Sequence, residues 1–182
     1  MWWWDFEPRP FDVAASARES AQARNQPMVP GSTSTLTLIR ITDTLLTKRG
    51  GYLSNDKLPP GLFMDNLPNW EFGVLVQVRD YSKALRNDFS RSQTQSLEDP
   101  DLSQAEPLFS SPNDRWLLPS SESQYRKGIR FLEAYLQRLS DPGDGNTRFY
   151  ARADNLADWL AVVEKRLGSL SQRLSASVGQ AM

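Results

Sequence analysis

A run of apolar residues between Phe72 and Phe89 constrains the fold of this chain more than any other feature, because two periodicities compete in it. Phe72, Val74, Val76 and Val78 alternate as the inward side of a strand would. Leu75, Val78, Leu85 and Phe89, with Val74 and Tyr81 beside them, instead continue one helical stripe. Length decides between the two. The stripe persists for about twenty residues, far beyond an ordinary strand and well within the range of helices. The spacing therefore predicts a helix over 70–89. Asp65 or Asn69 would be its N-cap, and Glu71 would sit in the first turn, where a carboxylate complements the helix dipole.

The same test predicts further helices. Phe11, Val13, Ala14, Ala17 and Ala21 give a thin apolar face to a short helix over 11–24, ended by Gln26-Pro27 and Pro30-Gly31. Residues 33–48 are rich in threonine and isoleucine, as a strand is, yet Leu38, Ile41 and Leu45 keep helical spacing. Lys48 and Arg49 would lie in the last turn at the carbonyl end, with Gly50-Gly51 as a left-handed cap. Ser121 and Gln124 form a capping box ahead of a stripe of Tyr125, Ile129, Leu132, Leu136 and Leu139, widened by Phe131 and Tyr135. In residues 151–178, Leu156, Leu160, Val163, Leu167, Leu170 and Leu174 alternate at spacings of four and three, which is a heptad seam. The seam pairs within the domain, the commoner outcome, or with another chain.

Two long loops remain. Residues 51–69 are apolar, with Tyr52, Leu53, Leu58, Leu62, Phe63, Met64 and Leu67, and read as a packed Ω-like unit stiffened by Pro59-Pro60-Gly61. Residues 90–119 are polar and proline-punctuated, with one short turn at 101–106. Leu108, Phe109, Trp116, Leu117 and Leu118 would tie this loop to the body. The expected fold is all-α: an irregular bundle of about five helices with long packed loops. Residues 11–182 would be a single helical domain, incomplete at its C-terminal end, after a separate segment 1–10.

Composition removes much chemistry. The 182 residues include no cysteine and no histidine, which excludes thiol nucleophiles, Ser-His pairs and thiolate or imidazole metal sites. Neither a metal nor a cofactor is expected. Lysine plus arginine (21) nearly balances aspartate plus glutamate (22), so the chain carries no basic footprint for nucleic acid. Asp65, Glu71, Asp80 and Asp88 could supply a carboxylate pair, but caps and a solvated helix face are the favoured reading. Residues 99–103 lack the glycine and the twelfth-position glutamate of a calcium loop. The best candidate binding site is the meeting of the apolar loop with the central helix: Leu62, Phe63, Met64, Asp65, Asn69, Trp70 and Glu71.

Trp2, Trp3 and Trp4 open the chain. Tryptophan favours the membrane–water interface, yet no run of 18 or more apolar residues exists here to span a bilayer. Either the tryptophans are the interfacial end of a transmembrane helix lying upstream, making 1–10 a juxtamembrane segment, or they pack on the domain's own core.

Residues 59–86 (PPGLFMDNLPNWEFGVLVQVRDYSKALR) resemble a bacterial family known as domain of unknown function 2333. So do residues 50–56 (GGYLSND), 118–123 (LPSSES), 149–156 (FYARADNL) and 167–174 (LGSLSQRL). The resemblance implies no activity and no catalytic residues. It implies a location: an envelope protein of proteobacteria with one transmembrane helix followed by this region and a further helical part. This chain resembles a version truncated at both ends.

The leading expectation is a single-pass inner-membrane protein whose periplasmic helical domain binds other envelope proteins and catalyses nothing, with self-association through the 156–174 seam as a further possibility. The alternatives are an envelope hydrolase using carboxylates around residues 59–71, and a peripheral lipid-binding bundle using the three tryptophans.

Overall fold

The computed structural model describes residues 7–55, 66–91 and 97–180. Their backbone is helical, with no strand among them. The helices are α1 (Val13–Ala23), α2 (Ser32–Thr47), α3 (Asn66–Ala84), α4 (Pro100–Phe109), α5 (Ser121–Leu139) and α6 (Ala153–Gln180). The chain divides into two compact units, Met1–Tyr150 and Ala151–Met182.

Within the first unit, α2 packs on α3, α3 on α4, α4 on α5 and α5 back on α2, closing a four-helix ring, while α1 lies against α2. The buried stripe of α3 is Leu67, Glu71, Leu75, Val78 and Ser82, continued by Leu85 and Phe89. Spacings of three and four keep these side chains on one face, and every member but Glu71 and Ser82 is apolar. α5 contributes Tyr125, Leu132, Tyr135 and Leu136, and α2 contributes Leu38, Leu45 and Leu46. α1 reaches α2 through Ser16, Ala17 and Ala21, whose small side chains bring the two backbones close.

The central helix ends in a wider turn. Residues Leu85–Phe89 form one turn of π-helix closed by Ser90 N donating to Leu85 O at 2.9 Å. Its last residue is held from outside the helix. Tyr150 N donates to Phe89 O at 2.7 Å, and the Phe89 ring stacks on Phe149 at 5.1 Å and 11°.

Four local expectations are corrected. The short turn at 101–106 is a full helix, α4. Asp99 caps it by accepting from Asp101 N (3.0 Å) and Leu102 N (3.1 Å), Pro100 occupies the first turn, and Leu102, Ala105 and Phe109 are buried. Pro100 suits a first-turn position, where the missing N–H has no helical partner to lose, whereas Pro107 lies inside the helix and leaves the Ser103 carbonyl without its i+4 donor. The cap of α5 is Ser120, accepting from Ser123 N at 3.3 Å, and not Ser121. Asn69 lies inside α3 and is not its N-cap. Trp116, Leu117 and Leu118 do not tie their loop down: all three are exposed, and Phe109 is the buried anchor.

In the second unit, α6 is one continuous helix of 28 residues. Leu156, Leu160, Leu167, Leu170 and Leu174 are each half or more exposed. Among the described residues, no helix is long and apolar enough to cross a membrane.

Candidate functional site

α2 stops at Thr47, one residue before the expected cationic last turn, because Lys48 leaves the helix (φ −54°, ψ 166°) and turns inward. Gly50 (φ 85°) and Gly51 (φ 72°) then reverse the chain in a conformation that side chains with a Cβ rarely adopt. That reversal aims the backbone N–H groups of Leu53 and Ser54 at one point on α3, the carboxylate of Glu71. Oε1 accepts from Leu53 N at 2.9 Å. Oε2 accepts from Ser54 N at 2.7 Å, from Ser54 Oγ at 2.6 Å and more weakly from Leu53 N at 3.1 Å. The Lys48 ammonium completes the shell, pairing with Oε1 and donating to Gly51 O.

This is a buried ion pair. The Glu71 side chain is 0% exposed and that of Lys48 is 2% exposed. A carboxylate taken out of water is tolerated only when its lone pairs are filled and a counter-charge stands close, and both conditions are met here. A general acid or base must present a free lone pair or proton to a substrate. Every donor around Glu71 comes from the protein itself, so in this arrangement the carboxylate fastens the 48–54 turn to α3.

The turn is also fastened on its other side. Tyr52 OH donates to Asn113 O at 3.0 Å, and its ring meets Tyr125 edge-on at 5.8 Å. Burial, reinforced by Tyr125 and the Glu71 carboxylate, pushes the Tyr52 phenol well above the ordinary tyrosine range. Asn55 Nδ2 donates to Arg115 O at 3.2 Å and lies 3.4 Å from Glu122 Oε2. Residues 48–55 thus join the end of α2, the start of α3 and the segment leading into α5.

A second polar centre lies at the far end of α5. Arg138 donates to both oxygens of Asp99 at 2.8 Å, to Asp101 Oδ2 and to Thr147 Oγ1. The N-cap of α4 is thereby tied to the end of α5 and to the 141–147 turn. Arg79 on α3 does the same for the other end of α4, donating to Phe109 O at 2.8 Å and Ser111 O at 2.6 Å.

A family model described as an uncharacterised protein conserved in bacteria, domain of unknown function 2333, matches residues 1–182. The chain belongs to this family. Comparison with curated proteins and with solved structures gives no match.

Of the predicted binding residues in this family member, Leu62, Phe63, Met64 and Asp65 lie outside the described residues, as do Trp2, Trp3 and Trp4. Asn69 is exposed on the first turns of α3, Trp70 is half-buried, and Glu71 is buried. Glu71 is therefore neither a cap nor part of a solvated face. Lys48, Leu53 and Ser54, its partners, were not read from the sequence as site residues. One signal was present: Glu71 stands four residues after Leu67 and four before Leu75, a stripe position where only a paired carboxylate can be held.

Proposed function

We propose that this chain is the helical domain of a membrane-anchored protein of the bacterial cell envelope, facing the periplasm, and that it works by binding other envelope proteins and not by catalysis. The observation that carries the binding role is α6. Its leucine seam repeats at four and three, yet its leucines stand half or more in water. A heptad stripe is a surface for a second helix, supplied by an envelope protein or by another copy of this chain. The anchor and the compartment rest on the resemblance to family 2333 and on the interfacial preference of Trp2, Trp3 and Trp4.

Two experiments test this. Paired reporters that are active only in the periplasm or only in the cytoplasm are fused behind residue 182 in the protein expressed in its native bacterium; activity of the cytoplasmic reporter alone overturns the orientation. For the seam, a photo-crosslinking residue is placed at Leu167 or, as the control, at the polar Gln172. Crosslinking to a specific envelope protein or to a second copy from 167 and not from 172 is the expected result. Equal or absent crosslinking at the two positions removes the seam as an interaction surface.

A further inference from the structure

The segment between α4 and α5 has a pinned base and an apolar tip. The carbonyl oxygens of Phe109 and Ser111 accept from Arg79, and that of Ser111 also accepts from Tyr125 OH at 3.2 Å. Pro112 O accepts from Ser121 Oγ at 2.7 Å, and Asn113 O accepts from Tyr52 OH. Arg115 exchanges backbone and hydroxyl bonds with Ser121 at 3.0 and 3.1 Å. Directly beyond this anchored base come Trp116, Leu117 and Leu118, which are 58%, 74% and 96% exposed. Leu118 keeps nearly all its surface in water, and Trp116, Leu117 and Leu118 line a wide-open concavity together with Asp114 and Arg115. The base leaves this tip little freedom to fold back onto the core.

We propose that Trp116, Leu117 and Leu118 form a wedge that inserts into the interfacial region of an anionic phospholipid bilayer. Two observations favour a bilayer over a protein partner. Three consecutive side chains offer far less than the ~800 Å² per partner that a stable protein interface needs, whereas a bilayer needs no matching pocket. The charge along the adjoining sequence is also of the right sign. From Asp114 to Arg130, Arg115, Arg126, Lys127 and Arg130 stand against Asp114 and Glu122, net +2 (four minus two) in a chain whose net charge is −1. Arg115, Arg126, Lys127 and Arg130 are all exposed. Tryptophan and leucine at the tip, with exposed arginine and lysine flanking them in sequence, match the headgroup boundary, where an amphipathic ring and cations are both favoured. The wedge requires no upstream anchor; where an anchor exists, it holds the wedge at high effective concentration beside the lipid.

The test is flotation of the purified 182-residue chain with vesicles of phosphatidylethanolamine and phosphatidylglycerol, and with phosphatidylcholine vesicles alone. The variants are W116S/L117S/L118S and, separately, W2A/W3A/W4A, each checked for unchanged helical circular dichroism. The replaced loop side chains are exposed, so folding of the loop variant is expected to be intact. The expected result is binding to the anionic vesicles that falls at least ~10-fold in the loop variant, weakens with salt, and keeps its dependence on the loop when Trp2, Trp3 and Trp4 are alanine. Three results overturn the proposal: no binding by the unmodified chain, binding unchanged in the loop variant, or binding lost only with Trp2, Trp3 and Trp4. Crosslinking of Trp116 to a protein in native membranes, with no vesicle binding, assigns the loop to a protein partner instead. None of these results bears on the reporter fusions or on the α6 seam, so the wedge and the proposed function fail separately.

Discussion

Replacing Glu71 by glutamine or alanine is expected to destabilise the Met1–Tyr150 unit severely, and the reason can be worked from the clasp. Glu71→Ala leaves a buried ammonium without its anion and removes the acceptor from Leu53 N, Ser54 N and Ser54 Oγ. Breaking a buried pair by deleting one partner costs roughly 3–5 kcal/mol, and each orphaned buried donor adds about 1–3 kcal/mol, though not additively. A total near 5 kcal/mol would consume much of the 5–15 kcal/mol that ordinarily holds a domain together. Glu71→Gln is the measurable variant. It keeps one acceptor oxygen but turns an NH₂ group toward donors, for a loss of about 3–4 kcal/mol. Lys48→Met leaves the carboxylate its three loop donors and is expected to cost less, about 2–3 kcal/mol. Urea unfolding followed by circular dichroism reads these differences. With a urea slope near 2 kcal/mol per molar, Glu71→Gln lowers the midpoint by about 1.5–2 M at unchanged slope. A double-mutant cycle with Lys48→Met is expected to give a coupling of roughly 1–3 kcal/mol. If Glu71→Gln changes stability by less than about 0.5 kcal/mol, the carboxylate behaves as a surface group and the buried clasp is refuted. If Lys48→Met costs more than Glu71→Gln, the lysine and not the loop donors holds the anion.

Other changes test the rest of the frame. A Cβ on Gly128 would stand 2.5 Å from Phe109 Cε1, so Gly128→Ala is expected to cost about 1–3 kcal/mol in urea unfolding; no loss would mean that the ring can swing aside. Arg138→Leu strips Asp99 and Asp101 of their shared cation and is expected to cost about 2 kcal/mol. Because Asp99 also caps α4, the loss should be less than additive with Asp99→Ala, and strict additivity would separate the two roles. Tyr52, Tyr81, Tyr125 and Tyr135 all have phenols raised by burial. Their folded values lie above the unfolded one of about 10, so their contribution to stability is complete below about pH 10 and is lost as the pH climbs past it. In an alkaline titration, phenolate absorbance from these four should therefore appear together with loss of helix; ionisation of all four before unfolding would contradict their burial.

The helices were largely legible because helix formation leaves a local trace. Phe72 to Phe89 and Tyr125 to Leu139 carry enough turns of spacing to be recognised without reference to any other segment. α4 was missed because ten residues hold few periods and Pro100 and Pro107 resemble loop punctuation. The candidate site was less legible. The loop from Leu62 to Asp65 stays outside the described residues, and of the three described members of the predicted group, Asn69, Trp70 and Glu71, only Glu71 is buried. Its partners, Lys48 and Ser54, precede it by 23 and 17 residues, beyond the reach of any helical period.

The chain's periodicity by itself determined that it is helical and that a stripe centred on Leu75 and Val78 faces inward, and its composition that no histidine or cysteine chemistry is open to it. Tertiary structure alone decided that the carboxylate in that stripe is a fastener, and that Trp116, Leu117 and Leu118 face water where an anchor was expected. The physical reason is the same in both cases. Spacing records which side chains share a face, whereas burial depends on what is packed over that face, and the groups that cover Glu71 or leave Leu118 bare come from other segments of the chain.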